Sequence, residues 1–269
     1  FTGSRDVGMR LKRILDGWQP ARKMIGELGG KNCCIVTPSV GSIVKMAKGV
    51  AKSAFGYGGQ KCSACARLVV HESLERDTIA AITSAAEEQF LMGEPRDHLV
   101  TLGPLINRKA LERYARVRGA LAEHEGATVT IPKIYTLPRS PSGYYAAPII
   151  VSGLPPEHRF HYDELFLPVL VVQTYRGGIS EAVEVANGTE YGLTAGLMSQ
   201  DENEIAYFEE HMDAGVLYVN REAGATTGAW PGKQSFGGWK NSGIMTQFGV
   251  CGPDYLLNFV RNQSRTRHA

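Results

Sequence analysis

One thiol lies in a setting that suits covalent chemistry. Residues 59–64 read Gly-Gln-Lys-Cys-Ser-Ala, so Cys62 follows a glycine-loosened turn and the cation of Lys61. A thiol becomes a nucleophile when positive charge or backbone N–H groups favour the thiolate. Free cysteine is also among the most buried residue types, so an inert core thiol is the competing interpretation.

One carboxylate could activate a water molecule. Residues 27–31 read Glu-Leu-Gly-Gly-Lys, which places Glu27 beside glycines that allow close approach of a ligand. The alternative is an exposed glutamate at a strand end, paired with Lys31.

Two further segments could hold a nucleotide. Gly3 and Ser4 lie at the start of a helical pattern, and a helix N-terminus presents free N–H groups to a phosphate. Glu164 and Phe166 precede Pro168, and a glutamate can accept both hydroxyls of a ribose.

Glycines near the end of the chain could bind a substrate carboxylate. Gly228, Ala229 and the glycines that follow Phe236 offer exposed N–H groups. Taken singly, these segments could equally be ordinary turns and loops.

Two other patterns carry less weight. Cys62 and Cys65 have the spacing of a redox pair, but no thioredoxin-like unit accompanies them. His158 and His161 lack a second ligand pair at metal-binding spacing, so we expect no metal site.

The elements that position these residues alternate between helix and strand. This alternation predicts an α/β fold around a largely parallel sheet. Helices are predicted over residues 4–18, 44–55, 79–90, 111–121, 179–186 and 202–212, and strands over 23–25, 32–36, 67–70, 169–174, 216–220 and 256–260.

Composition limits the kind of partner. The 269 residues carry a net charge of +2, which gives no electrostatic reason to expect nucleic acid or an anionic membrane. We therefore expect a small-molecule ligand. Five cysteines do not form a disulfide pattern and no signal peptide is evident, which favours the cytoplasm, or the mitochondrial matrix in a eukaryote.

The order of the motifs is more informative than any one of them. Phe-Thr-Gly-Ser, Glu-Leu-Gly-Gly-Lys, Gly-Gln-Lys-Cys, Glu-x-Phe-x-Pro, Asn-x-x-Tyr-Gly-Leu-Thr and Ser-Phe-Gly-Gly-Trp-Lys-x-Ser-Gly follow one another along the chain. This succession resembles the aldehyde dehydrogenase superfamily. Residues 58–67 and the loop from Thr227 to Phe236 resemble its 1-pyrroline-5-carboxylate dehydrogenase group, also called L-glutamate γ-semialdehyde dehydrogenases.

The resemblance implies a fold and a set of roles. The fold would be a three-layer aldehyde dehydrogenase-like domain with a largely parallel sheet, joined to the end of a Rossmann-like cofactor domain. The boundaries would be a cofactor-domain remnant at 1–28, a catalytic domain at 29–234, and a return segment with an oligomerisation strand at 235–269. The implied roles are nucleophile for Cys62, general base for Glu27, pyrophosphate contacts for Gly3 and Ser4, nicotinamide-ribose contacts for Glu164 and Phe166, and substrate contacts for Ser63, Gly228, Ala229 and Phe236.

The same resemblance implies NAD or NADP as cofactor and a small aldehyde as substrate. The reaction would be oxidation to a carboxylic acid through a thiohemiacetal and a thioester on Cys62, in proline catabolism. The partner would be a second copy of the chain or an upstream N-terminal half. Because the chain opens at Phe1, we expect it to bind NAD(P)+ poorly and to be inactive until that half is supplied.

Three alternatives stay open at this point. The chain could be a cysteine hydrolase that uses Cys62 without a cofactor, a non-catalytic subunit that keeps the fold for assembly, or an aldehyde dehydrogenase with another substrate preference.

Overall fold

A computed structural model describes residues 1–20, 22–137, 143–230, 232–245 and 247–268. The α-helices are α1 (Arg5–Asp16), α2 (Ile43–Phe55), α3 (Glu75–Gln89), α4 (Arg108–Glu123), α5 (Ile179–Asn187) and α6 (Glu202–His211). The strands are β1 (Gly26–Glu27), β2 (Asn32–Val36), β3 (Cys65–His71), β4 (Leu91–Met92), β5 (Thr128–Thr130), β6 (Tyr135–Thr136), β7 (Ile149–Ser152), β8 (Val169–Tyr175), β9 (Tyr191–Gly192), β10 (Thr194–Met198), β11 (Val216–Val219), β12 (Trp239–Lys240) and β13 (Gly243–Ile244).

A seven-stranded sheet forms the centre of the molecule, in the order β11-β10-β2-β3-β8-β7-β5. Neighbouring strands are parallel except β5, which runs antiparallel to β7 at one edge. Strand β2 is buried along its whole length, as expected for a parallel strand that is covered on both faces. The predicted α/β fold with a largely parallel sheet is confirmed.

Helices cover both faces of the sheet. Cys34 and Val36 of β2 pack in one core with residues of α2 and α3. Cys33 and Ile35 alternate to the opposite face and pack in a second core with residues of α5 and α6. The result is a three-layer arrangement whose sheet carries the candidate site at the ends of its central strands.

Short strand pairs join the first and last segments of the chain to the rest of the fold. Strand β1 pairs antiparallel with β13, and Thr2 forms a parallel bridge with Glu27. Strand β9 pairs antiparallel with β12. These pairings bring the first residues of the chain and the segment after residue 238 to the same side of the sheet.

Two predicted strands are wrong. The strand expected at 23–25 forms instead at Gly26–Glu27, because β13 offers ladder partners only to those two residues. The oligomerisation strand expected at 256–260 is a 3-10 helix at Tyr255–Phe259. Asn258 curls this segment by donating to the carbonyl oxygens of Gly249 and Tyr255 over 3.1 and 3.0 Å. A role in oligomerisation and the domain boundaries at 28 and 234 stay predictions.

A search of the described residues finds no helix with both the length and the apolar character needed to cross a membrane.

Candidate active site

The loop that carries Cys62 is shaped by glycines. Gly58 and Gly59 adopt the left-handed backbone conformation, with φ values of 63° and 67°. A side chain on Gly59 would collide with the carbonyl oxygen of Leu167, so the loop packs this closely only with glycine there. Cys62 follows, half-buried, three residues before β3 begins.

Asn32 fixes the orientation of this loop. Its Nδ2 donates to the carbonyl oxygens of Cys62 and Ala64, over 2.7 and 2.9 Å, and its Oδ1 accepts from the N–H of Thr194 over 3.0 Å. In a planar trans peptide the C=O and the following N–H point in opposite directions. Holding the Cys62 carbonyl toward β2 therefore turns the Ser63 N–H away from β2, and this N–H lowers the pKa of the Cys62 thiol. Asn32 could not be predicted as a site residue, since one asparagine at a strand start carries no distinctive signal.

The electrostatic surroundings of Cys62 differ from those predicted. Burial raises the pKa of the Cys62 thiol, and the carboxylates of Glu27 and Glu164 raise it further. The N–H of Ser63 opposes these effects. The thiolate stabilisation predicted from Lys61 is therefore outweighed, because the nearby carboxylates and the loss of water act in the other direction. Chemistry at Cys62 needs a group that accepts its proton.

Glu27 has the properties of a general base. Its side chain is buried, and neither carboxylate oxygen has a hydrogen-bond partner among the described residues. Burial raises the pKa of Glu27 to about 7, against the opposing charge of the Phe1 amino terminus. A carboxylate with a pKa near neutrality is well matched to general-base catalysis. The alternative pairing with Lys31 is wrong, since the Lys31 Nζ is buried and also has no partner among those residues.

Five of the predicted site residues line one cavity of about 620 Å³. These are Gly3, Ser4, Cys62, Glu164 and Phe166. Glu27 instead lines a second cavity of about 450 Å³, and Thr2 borders both. The two residues thus border different cavities, although the Glu27 carboxylate is near enough to raise the pKa of the Cys62 thiol.

Two local features place Glu164 and Phe166 in the larger cavity. Glu164 accepts a hydrogen bond from the N–H of Gly30 over 2.9 Å, and a side chain on Gly29 would collide with its carboxylate. Phe166 has a positive φ of 54°, a conformation that costs a bulky residue free energy and occurs mostly at functional sites. The motif at 27–31 therefore contributes both the candidate base and the support for Glu164.

Comparison with known proteins decides the family. The model of the aldehyde dehydrogenase family matches residues 1–263. The chain belongs to this family. A 1-pyrroline-5-carboxylate dehydrogenase of Bacillus licheniformis is 34% identical over 260 residues, which cover 95% of this chain and 48% of the relative. The protein of the same name from Staphylococcus haemolyticus is 32% identical over 270 residues, covering 98% and 49%.

Solved structures give the same result. A Thermus 1-pyrroline-5-carboxylate dehydrogenase with bound NAD superposes with a TM-score of 0.83 at 30% identity, covering 96% of this chain and 48% of that one. Proline utilization A of Bdellovibrio bacteriovorus superposes with a TM-score of 0.82 at 29% identity, covering 96% and 26%. The chain spans about half the length of the curated relatives it matches.

The larger cavity of this aldehyde dehydrogenase-family chain contains cations that the sequence analysis did not identify. Arg5 and Arg113 both line it, and the Nε of each is buried without a hydrogen-bond partner among the described residues. Ser4 is the N-cap residue of α1, yet its side chain makes no capping bond. Arg5 already forms an ion pair through Nη1 with the Glu190 carboxylate over 3.0 Å. The two Nε donors lie in the same cavity as the Glu164 carboxylate, and the set fits a ligand that carries both phosphates and ribose hydroxyls.

Of the four predicted substrate residues, Ser63 lies on the thiol loop, whereas Gly228, Ala229 and Phe236 lie in later segments of the chain. Thr226 donates from Oγ1 to the carbonyl oxygen of Ser63 over 2.8 Å, which joins the loop of Gly228 and Ala229 to the thiol loop. Phe236 forms a β-bridge with Val250. In the described part of the chain, Gly228, Ala229 and Phe236 are not among the residues that line the two cavities above. Their substrate role stays a prediction.

Proposed function

We propose that the chain is the thiol-bearing portion of an NAD(P)+-dependent aldehyde dehydrogenase that oxidises L-glutamate γ-semialdehyde. One observation carries the proposal: a single cavity joins Cys62 with Glu164, Phe166 and the N-terminal end of α1. A thiol nucleophile thereby faces the groups that suit a nucleotide. Similarity to relatives and solved structures named 1-pyrroline-5-carboxylate dehydrogenase supports the substrate.

Cofactor binding would fall to residues already placed in that cavity. The N-terminus of α1 at Gly3 and Ser4 and the guanidinium groups of Arg5 and Arg113 would hold the phosphates. Glu164 would accept hydrogen bonds from ribose hydroxyls. When bound, NAD(P)+ supplies the acceptor for the hydride that leaves the aldehyde carbon.

Acylation would begin with the thiol of Cys62. The thiol gives its proton to a water molecule, and sulfur adds to the aldehyde carbon to give a thiohemiacetal oxyanion. The N–H of Ser63, oriented by the Asn32 contact with Cys62, would donate to the developing charge. After oxidation the acyl group remains on Cys62 as a thioester.

Deacylation would be the task of Glu27. Its carboxylate takes a proton from a water molecule, whose oxygen adds to the thioester carbon and expels the Cys62 thiolate as the acid forms. The cavity of about 450 Å³ that Glu27 borders gives water access from a side separate from the cofactor residues. A pKa of about 7 leaves a substantial fraction of Glu27 ionised at neutral pH.

Carboxylate recognition would select the substrate. The hydroxyl of Ser63 and the N–H groups of Gly228 and Ala229 would bind the carboxylate at the far end of the aldehyde, with Phe236 against its carbon chain. A plain alkyl aldehyde would leave these donors unpaired.

The complete activity would need a further segment. Val7, Ile14 and Trp18 on or beside α1 are 48, 51 and 53% exposed, which gives an apolar surface for association. Since the relatives are about twice as long, we propose that an upstream half of the family fold covers this surface. A second copy of the chain is the alternative occupant.

The decisive experiment compares two cysteine variants. The chain is assayed with NAD+ and L-glutamate γ-semialdehyde, alone and co-expressed with the upstream half of the Bacillus licheniformis relative. Cys62→Ala should abolish formation of reduced cofactor, whereas Cys65→Ala should retain it. Cys65 is a matched control because it is buried and burial raises the pKa of its thiol to about 12.

Other outcomes would favour the alternatives. Turnover in Cys62→Ala excludes the proposal. Ester cleavage by wild type without any change in cofactor absorbance supports a cysteine hydrolase. Absence of turnover, of cofactor binding and of Cys62 acylation in the complemented assembly supports a non-catalytic subunit, and equal rates on hexanal support a general aldehyde dehydrogenase.

A further inference from the structure

Two buried hydroxyl groups form a hydrogen-bonded chain. This chain connects helix α2, the segment that carries Thr226 and the loop that carries Cys62. Thr226 and Ser53 are both fully buried. The Thr226 Oγ1 donates to the Ser63 carbonyl oxygen over 2.8 Å and lies 2.9 Å from the Ser53 Oγ. The N–H of Thr226 donates back to the Ser53 Oγ over 3.4 Å.

The Ser63 carbonyl oxygen at one end determines which hydroxyl donates and which accepts. A carbonyl oxygen only accepts, so the single proton of the Thr226 hydroxyl is committed to Ser63. The Ser53 hydroxyl must then donate to Thr226. Every polar atom of the chain is satisfied, which is required of a buried polar network.

The segment at 221–227 that carries Thr226 is held in place at other points as well. Arg221 donates from Nε to the carbonyl oxygen of Thr227 over 2.7 Å, and its own carbonyl accepts from the N–H of Ala225 over 2.9 Å. On the α2 side, a Cβ built on Gly49 would lie 2.6 Å from the carbonyl oxygen of Glu222, so the segment rests directly on the helix. The segment is therefore fixed by internal hydrogen bonds and by close contact with α2.

Ser63 connects the segment at 221–227 to the loop that carries Cys62. It follows Cys62 directly and its N–H lowers the pKa of that thiol, while its carbonyl oxygen accepts the hydrogen bond from Thr226. Gly228 and Ala229 follow Thr226 by two and three residues. The Thr226 hydroxyl is thus the side-chain link between the proposed carboxylate anchor and the nucleophile loop.

We propose that Thr226 is a positioning residue that sets the spacing between the carboxylate anchor and the Cys62 thiol, and so selects aldehydes whose carboxylate lies at one distance from the reacting carbon. The inference rests on the proposed function for the identity of the anchor. Cys62 itself is held independently by Asn32. Loss of the Thr226 hydroxyl should accordingly impair carboxylate binding far more than thiol reactivity.

The test uses alkylation of Cys62 and needs no turnover. Cys251 is exposed and is replaced by Ser in every variant, whereas Cys33, Cys34 and Cys65 are buried and protected from reagent. Iodoacetamide modification of Cys62 is followed by mass spectrometry with L-glutamate or L-isoglutamine present. The two probes differ only at the α-carbon substituent, which is a carboxylate in glutamate and a carboxamide in isoglutamine.

Three variants separate positioning from simple destabilisation. Thr226→Val keeps the shape and removes the hydroxyl, whereas Thr226→Ser keeps the hydroxyl. Ser53→Ala removes a buried hydroxyl from the same network but leaves the bond from Thr226 to Ser63. Thermal unfolding by circular dichroism shows which variants are folded.

The expected pattern is specific to the Thr226 hydroxyl. Glutamate should protect wild type, Thr226→Ser and Ser53→Ala, and in wild type about tenfold better than isoglutamine. In Thr226→Val, protection by glutamate should weaken about tenfold while the rate without ligand changes less than about twofold. In the active assembly, the KM for the semialdehyde should rise while kcat changes little.

Each contrary result has a distinct meaning. Unaltered glutamate protection in Thr226→Val overturns the inference and leaves the proposed function standing. An equal loss in Ser53→Ala, or a parallel loss of unprotected reactivity, overturns it in favour of a purely structural role. Equal protection of wild type by both probes overturns the carboxylate anchor and the inference together.

Discussion

Asn32 and the carbonyl of Cys62 form a 2.7 Å hydrogen bond that orients the peptide following the candidate nucleophile. The same amide group reaches Ala64, so a single side chain fixes both ends of the turn that contains Ser63. A thiol in a glycine-rich loop would otherwise sample many orientations. We therefore expect reactivity at Cys62 to depend on Asn32, a residue of the adjoining strand β2.

We predict that Asn32→Asp will slow alkylation of Cys62 about tenfold and lower the free energy of unfolding by about 1–3 kcal/mol. An ionised carboxylate keeps the acceptor for Thr194 but cannot donate to the two carbonyl oxygens. Iodoacetamide kinetics and urea unfolding measure the two effects. Asn203→Asp, at an exposed position in α6, is the matched control. Unchanged alkylation in Asn32→Asp would show that the loop holds its own shape.

A second prediction concerns the buried carboxylate of Glu27. Its pKa is raised from 4.5 to about 7, so the folded chain holds a proton that the unfolded chain releases at lower pH. The contribution of Glu27 to stability should consequently fall as pH rises from about 4.5 to 7, by an amount on the order of 3 kcal/mol. Glu27→Gln removes this loss. The free energy of unfolding of Glu27→Gln minus that of wild type should therefore be larger at pH 8 than at pH 5.

Urea unfolding at both pH values measures that difference. Glu123→Gln, an exposed residue at the end of α4, supplies the matched control. In the active assembly, Glu27→Gln should retain a burst of about one reduced cofactor per site while steady turnover collapses. Loss of the burst would assign Glu27 to acylation. If the stability of Glu27→Gln and of Glu123→Gln changed equally with pH, the raised pKa of Glu27 would be contradicted.

Local sequence patterns predicted the parts of the fold that local physics determines. The apolar run of β2 is buried on both faces, and the ordered motifs identified five residues that line a common cavity. The prediction of a strand at 256–260 was wrong because an apolar run cannot show whether a neighbouring strand is available for pairing. Asn258 supplies instead the bonds that curl that segment.

Contacts between distant positions were beyond sequence reasoning. Thr226 reaches Ser63 across 163 positions, and Arg113 enters the larger cavity from a helix remote in sequence. A lone threonine or a helical arginine has no distinguishing pattern in one sequence. Only the packing of α2, α4 and the loop after β11 brings these residues to the thiol.

A third prediction uses two glycines in different surroundings. A methyl group on Gly29 would collide with the Glu164 carboxylate, whereas nothing lies within 4 Å of one on Gly119. Gly29→Ala should displace Glu164 and weaken NAD+ binding about tenfold in the complemented assembly, at a stability cost of about 1–3 kcal/mol. Gly119→Ala, inside α4, should stabilise the chain by about 0.5–1 kcal/mol.

Calorimetric titration and urea unfolding check both variants. Glu164→Gln is the companion variant, because it alters the carboxylate without crowding the backbone. Equal NAD+ affinity in wild type, Gly29→Ala and Glu164→Gln would remove Glu164 from the cofactor site.

The last prediction concerns acid sensitivity, and its source is His161. The ring is fully buried, its Nε2 lies 3.5 Å from the Leu154 carbonyl oxygen, and its Nδ1 has no partner among the described residues. Burial lowers the pKa of His161 from 6.5 to about 4, and the cations of Lys31 and Arg67 act in the same direction.

The sign of the effect follows from proton binding. Between pH 6.5 and 4 the unfolded chain binds a proton at His161 that the folded chain does not, so the contribution of His161 to stability falls as the pH falls through this window. At pH 5 the loss amounts to about 2 kcal/mol relative to pH 7. His161→Gln cannot take up the proton and should lack this part of the decline. The exposed His98, replaced in the same way, is the control, with a side chain that is 91% exposed. Urea unfolding at pH 7 and pH 5 measures all three proteins, and an identical decline in wild type and His161→Gln would place the acid sensitivity elsewhere.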